Sequence, residues 1–499
     1  MTSPLTTPPF DGFLEIAQRL LQRLPIQHGD IISHLRNLTS VQAAVGGLLV
    51  WVGIVRVFRW RRYNAVHRKY ASKWNSGKGK ITPEEAQKIM HASALYDMPL
   101  LLNYALAFAL FKTYGIPTIS KLLKATKQLS SQETISRRYA DTEILISTWF
   151  GCPISGFLDP QVAEQNNGRP DAKPADDPRA MIALARVNYL HSQYKISNED
   201  YLYTLALFIL QPAIWAKQYG WRPLSPMEED AFFIYWKEIG KRMGIHDIPN
   251  SVQALAAWSD QYEKQYMVPD KVNREVAEYT LEELLVAAPE ALGIKAFGRR
   301  VAVCLMDDIT REAMLYEKQP WYLYSLVNLT MGTMAFVQRW LMLPAFSAHA
   351  SIELDPRPAN VKAGGCPRLY PTKWTARPWY RPERSGLGYL KDKLLVSLGW
   401  YTEMPGPQAL DTVSRKWQGP FKFEERAHEE IMKKAAELQG CPILLLGVLD
   451  VDTKATSSKR SIFLLGTYGN SYATTILVPE VSTIRRSSNF IIVVYKLSV

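Results

Sequence analysis

The stretch "ARVNYLHSQYKIS" places a histidine, His191, in register with apolar residues. On a helix opening near Pro178, positions Ala180, Leu184, Val187, His191 and Tyr194 follow at spacings of four, three, four and three, which is one face. An imidazole pointing where the apolar side chains point is either a core histidine satisfied by its neighbours or a neutral ligand for a metal. A second helix is predicted over "SRRYADTEILISTWFG", where Arg138, Thr142, Leu145 and Trp149 again share one face. A guanidinium and a hydroxyl on such a face are costly to bury unless something anionic or oxygen-bearing meets them. A haem propionate, dioxygen or a plain salt bridge to a carboxylate would serve. Glu425 and His428 form an ExxH, the unit that carries two ligands of a carboxylate-bridged di-iron site. With no second copy in the chain, it reads as part of a solvated charged helix.

The common alternatives are missing. The sequence carries no Gly-rich nucleotide loop, no GxSxG elbow and no HExxH. Cys152, Cys304, Cys366 and Cys441 are far apart with no CxxC pair, which excludes a zinc knuckle and a dense disulfide framework. At 499 residues and 47% hydrophobic content the chain supports a large core and is not a disordered protein. The net charge of +12 is scattered rather than striped, so nucleic acid is not the expected partner and an anionic membrane surface is.

The elements that must hold these residues are helices. Thr82-Pro83-Glu84-Glu85 and Ser225-Pro226-Met227-Glu228 are N-terminal caps, Asp177-Pro178 and Ser197 with Asp200 open two more helices, and Gly244 stops one. The stretches 201–216 and 321–346 are long and apolar; Gln211 and Pro212 interrupt the first, and Asn328, Gln338 and Arg339 the second. Both are predicted to be buried bundle helices, the second a lining for a greasy substrate. Between Asp355 and Arg384 six prolines forbid helix; Trp374, Trp379 and Tyr380 sit there among basic residues, in a surface segment packed across the body or, alternatively, touching a membrane.

The N-terminal region supplies an anchor. Residues 11–24 have helical amphipathic spacing, and positions 41–58 form an apolar run of ~27 Å, enough for a thin bilayer if Arg56 snorkels. Arg56, Arg59, Arg61, Arg62, Arg68 and Lys69 follow the run, with Arg36 alone before it, which predicts a cytosolic body by the positive-inside rule. The run is not a signal peptide, and the Asn37-Leu38-Thr39 sequon lies too close to it to be glycosylated. The expected organisation is a lumenal segment over 1–40, a transmembrane anchor over 41–60, a catalytic domain over 61–441 that includes the Pro-rich segment 355–384, and a tail over 442–499. The tail is aliphatic and β-branched, unlike the rest, and reads as a small β element or, more simply, as a gene-prediction artefact.

The blocks "SRRYADTEILISTWFGCPISG", "ALARVNYLHSQYKISNEDYLYTLALFILQPAIWAKQYGWRPLSPMEEDAFFIYWKEIGKRM" and "IHDIP" resemble the fungal endoplasmic-reticulum-bound oxygenases of the mpaB type, which trim a prenyl side chain in mycophenolic acid biosynthesis. More distantly the chain is similar to the bacterial latex-clearing rubber oxygenases. The resemblance runs from about Tyr63 to Cys441. It implies an all-α fold: a large helical bundle with a globin-like haem-binding core, preceded by one N-terminal transmembrane helix. It implies haem b as cofactor and dioxygen as co-substrate, with His191 as the proximal iron ligand, and Arg138 and Thr142 as the arginine–threonine pair beside it. Arg138 would meet a propionate or polarise oxygen. The bacterial enzymes keep a lysine just before that threonine, where this chain has Asp141, so no catalytic base is carried over.

The implied activity is oxidative cleavage of a carbon–carbon double bond in a prenylated, hydrophobic small molecule, yielding an aldehyde or ketone in secondary metabolism. The implied location is the endoplasmic reticulum membrane, crossed once, with no obligate protein partner. Two other classes fit the residues alone. One is a membrane-anchored haem protein in electron transfer or haem handling; the other is a cofactor-free helical scaffold or hydrolase with Arg138 paired to a carboxylate.

Overall fold

A computed structural model describes residues 39–77, 81–129, 132–154, 179–286, 293–352 and much of 377–405, with scattered positions beyond, including two short strands at 484–487 and 490–493. The chain divides into two units, Met1–Val448 and Leu449–Val499. In the second, β1 (Ile484–Ser487) pairs antiparallel with β2 (Phe490–Val493), Ile484 opposite Val493. The rest of 442–499, like the segment 1–38 and most of 355–376, lies outside the described residues.

The first unit is helical. Helix α1 (Ser40–Asn75) starts on a capping box in which Thr39 and Gln42 exchange bonds. It is the one described helix long and apolar enough to cross a membrane. The expected boundary near residue 60 is not an element boundary, because the helix runs on for 36 residues, ~54 Å at 1.5 Å per residue. Its first half is exposed, with Val41, Val45, Leu49 and Val50 bare; from Val55 onward it packs on the body.

Helix α2 (Pro83–His91) begins at the expected Thr82–Glu85 capping box and continues into a π-helical segment, Ala92–Asp97. Then come α3 (Pro99–Thr113), α4 (Pro117–Ala125), α5 (Gln132–Gly151), α6 (Arg179–Ser192), α7 (Asn198–Tyr219) and α8 (Pro226–Arg242). The Ser197 and Ser225 caps form as the sequence indicates, each hydroxyl accepting from the backbone N–H three residues on. Gly244 ends α8 at φ +81°, where only glycine is unstrained. The chain continues through α9 (Val252–Tyr266), α10 (Lys271–Leu284), α11 (Ile294–Cys304), α12 (Asp308–Ala313), α13 (Trp321–Trp340) and α14 (Leu387–Ser397).

The core is built around α7, which is buried on nearly every side despite Pro212 and packs against α3, α8 and α9. α8 packs on α2, and α5 packs against both α6 and α10. One expectation fails here. α13 is not a buried bundle helix: only Leu323 and Val327 are enclosed, while Trp321, Leu329 and Phe336 stand in the open. Interruption by Asn328 and Gln338 says nothing about which side is covered. Trp379 and Tyr380 are both 5% exposed and belong to the core around α5, which agrees with a segment packed across the body and not with the alternative membrane contact; Trp374 lies outside the described residues.

Candidate active site

The two helices singled out by their spacing, α5 and α6, pack directly on each other. On α6 the residues Arg179 to Val187 are all buried, so this helix is enclosed all round at its start rather than along one stripe. His191 lies in its last turn, and Tyr194, expected on the same face, falls beyond the helix and is exposed. On α5, Leu145 and Trp149 are buried as the spacing requires, and Arg138 and Thr142 sit half-buried one turn apart. A guanidinium N–H of Arg138 donates to the Thr142 hydroxyl, which donates in turn to the Arg138 carbonyl at 2.8 Å. Among the described residues no carboxylate forms an ion pair with Arg138, though its charge acts on the nearby Asp141.

The Nδ1 of His191 is buried and has no hydrogen-bond partner among the described residues. Other histidines are satisfied: His67 meets the Tyr63 carbonyl and the Ser225 hydroxyl, each at 2.8 Å, and Nε2 of His91 meets the Phe150 carbonyl at 2.6 Å. Burial, with the charge of Arg138 adding to it, pushes His191 down from 6.5 to about 4. A helix C-terminus favours an imidazolium by only about 0.3–1 kcal/mol, so the helix end loses to desolvation here. The ring is therefore neutral at physiological pH, with its lone pair available. The Tyr201 ring of α7 flanks it, centroid to centroid 5.6 Å.

This donor set fits a haem. A single neutral imidazole with an orphaned buried nitrogen suits an iron that takes one protein ligand, and a guanidinium close enough to depress it suits an anionic propionate edge. Among the described residues no three or more His, Cys, Asp or Glu side chains cluster to hold a metal ion, so a multi-ligand centre has no counterpart there. Cys152 and Cys304 are free and buried; Cys366, Cys441, Glu425 and His428 lie outside the described residues.

Residues that spacing did not single out complete the surroundings. The Tyr380 hydroxyl donates to Asp141 at 2.6 Å and accepts from Arg137 at 3.3 Å, and Trp379 Nε1 donates to Ser136 at 2.9 Å. Burial raises Asp141 above the usual carboxylate range, against the pull of the Tyr380 hydrogen bond and nearby arginines. Tyr380 holds φ +60°, a strained conformation for a side chain of its size. These contacts join segments some 240 residues apart, and no local pattern reports them.

The described architecture is a helical body joined to a helix long and apolar enough to cross a membrane. Residues 173–339 match the family described as ER-bound oxygenase mpaB/B'/Rubber oxygenase, catalytic domain. The chain is 31% identical to the ER-bound oxygenase mpaB' of Penicillium brevicompactum over 79% of its own length and 91% of that protein. It is 35% identical to the ER-bound oxygenase mpaB of Penicillium roqueforti over 55% of its length and 89% of that protein, and 34% identical to mpaB of Penicillium brevicompactum over 50% and 62%. The chain belongs to this family of ER-bound oxygenases, and is accordingly an oxidoreductase that uses dioxygen.

Proposed function

We propose that this oxygenase is haem-dependent and splits a carbon–carbon double bond in the prenyl side chain of a hydrophobic, meroterpenoid-type metabolite. The observation that carries the reading is the buried Nδ1 of a neutral His191 beside Arg138, without a hydrogen-bond partner among the described residues. A haem b bound there would supply the dioxygen chemistry. The overall reaction balances without an external reductant: the double bond and the O–O bond break, and two carbonyl groups form, one on each fragment.

In this reading His191 stays unprotonated and would hold the haem iron through its lone pair. Arg138 would meet a propionate, and its bond to Thr142 fixes the guanidinium's direction. Asp141, held by Tyr380 and Arg137, lines the same helix one residue from Thr142 and keeps α5 in register. The exposed half of α1 crosses the endoplasmic reticulum membrane once and leaves the body in the cytosol. A prenylated substrate partitions into that membrane, so the anchor keeps the site where substrate concentrates.

An optical spectrum tests the cofactor. Full-length protein supplied with haem should show a Soret band, and the His191→Ala variant should lose it while keeping its helical circular dichroism. A native protein without that band, or a variant with full haem occupancy, overturns the reading. Incubation of membranes with a prenylated aromatic should give shortened carbonyl products; products with an intact chain count against it.

A further inference from the structure

We infer that α13 lies in the plane of the membrane surface, its outer face immersed among lipid chains beside the anchor. The inference rests on reading α1 as a membrane span. From Trp321 to Val337 the helix carries no charged residue, although Trp321 is 78%, Leu329 68% and Phe336 57% exposed. An open helical face in water ordinarily carries charge, and an uncharged apolar one of this length marks an interaction site. The inner face is settled: Leu323 and Val327 pack with Cys304 of α11.

Its polar groups are arranged for a dry neighbour. The hydroxyls of Ser325, Thr330 and Thr333 all turn back to helix carbonyls, at 3.1, 2.8 and 2.8 Å, as side chains facing hydrocarbon must. Trp321 and Tyr322 at the start are the aromatic types that sit at headgroup level.

Continuity with α1 identifies the occupant. Trp51 Nε1 donates to the Leu341 carbonyl at 2.8 Å, Arg62 donates to the Ala345 carbonyl at 3.0 Å, and Arg59 donates to the Met342 carbonyl. The Arg56 guanidinium stacks over Trp340 at 4.9 Å, and the Phe58 and Phe346 rings meet edge to face at 6.4 Å. These contacts hold the end of α13 at the level where the span's apolar residues give way to arginines. That level is the interface, and a helix with an uncharged run of about 26 Å held there lies along it. With no charged groups to pair on its outer face, α13 matches lipid rather than a polar protein partner.

The full-length protein, reconstituted in phosphatidylcholine vesicles that contain a phospholipid with a diazirine on its acyl chain, is irradiated and its peptides mapped. Lipid adducts are expected on residues 41–55 of α1 and on the Trp321–Phe336 face, well above those on the polar face of α9 around Asp260 and Lys264. Adducts on α1 with α13 at the α9 level overturn the inference and leave the anchor standing. Adducts on neither overturn both. Protein–protein cross-links through 321–337 in place of lipid adducts overturn it in favour of a second copy.

Discussion

His91 and His191 show how the same residue type separates into structure and site. Both are pushed below the ordinary imidazole value by burial, but His91 spends its Nε2 on the Phe150 carbonyl while Nδ1 of His191 meets no partner among the described residues. A buried polar atom without a partner costs about 1–3 kcal/mol, so His191 is a liability to the ligand-free fold. His191→Leu should therefore raise the denaturation midpoint of the haem-free protein while abolishing haem binding; a lowered midpoint would assign the residue to the core. The pH dependence has a definite sign. The unfolded chain takes up the proton near 6.5 and the folded chain only at about 4, so stability falls as pH is lowered across that window. Denaturant titrations at several pH values should show that part of the slope missing from His191→Leu. Removing the charge of Arg138 with Arg138→Leu should move the His191 titration upward, read by NMR of the imidazole protons.

At the scale of elements, helix starts are local and non-local packing is not. Thr82, Ser197 and Ser225 announce their caps because the bond each makes lies within four residues. The face shared by Leu145 and Trp149 was legible for the same reason. Spacing also brought His191, Arg138 and Thr142 to adjoining helices, though it could not tell a satisfied histidine from an orphaned one. Exposure of α13 and burial of Trp379 and Tyr380 depend on residues hundreds of positions away. So does the buried ion cluster that joins the π segment to α8: Arg222 reaches Asp97 and Glu228, each at 2.7 Å, with all three side chains no more than 3% exposed. Burial raises Asp97 even against the attraction of Arg222, while the two carboxylates drive the Arg222 guanidinium up. Arg222→Met leaves two carboxylates buried without a counter-charge and should cost about 3–5 kcal/mol in chemical denaturation. Adding Asp97→Asn and Glu228→Gln should recover part of it; no recovery would mean that packing around Trp221, not charge, holds the junction.

The molecule as a whole is oriented by one continuous helix. α1 does not break where its apolar half ends, so the arginines after residue 55 serve twice. In the folded body Arg59 is buried with its guanidinium 5.3 Å from the Trp221 ring, and Arg62 lies 3.7 Å over Tyr96. In the proposed topology, however, orientation is decided on the nascent chain before those contacts exist, when Arg56, Arg59, Arg61, Arg62, Arg68 and Lys69 are all solvated and would hold their side of the span in the cytosol. Burial of Arg59 and partial burial of Arg62 afterwards do not reverse that choice. In sealed microsomes, added trypsin should therefore digest the body while a fragment containing residues 40–55, which has no lysine or arginine, stays with the membrane through a carbonate wash. Protection of the body until detergent is added would place it in the lumen, and release of the intact chain by carbonate alone would show that α1 does not cross the bilayer.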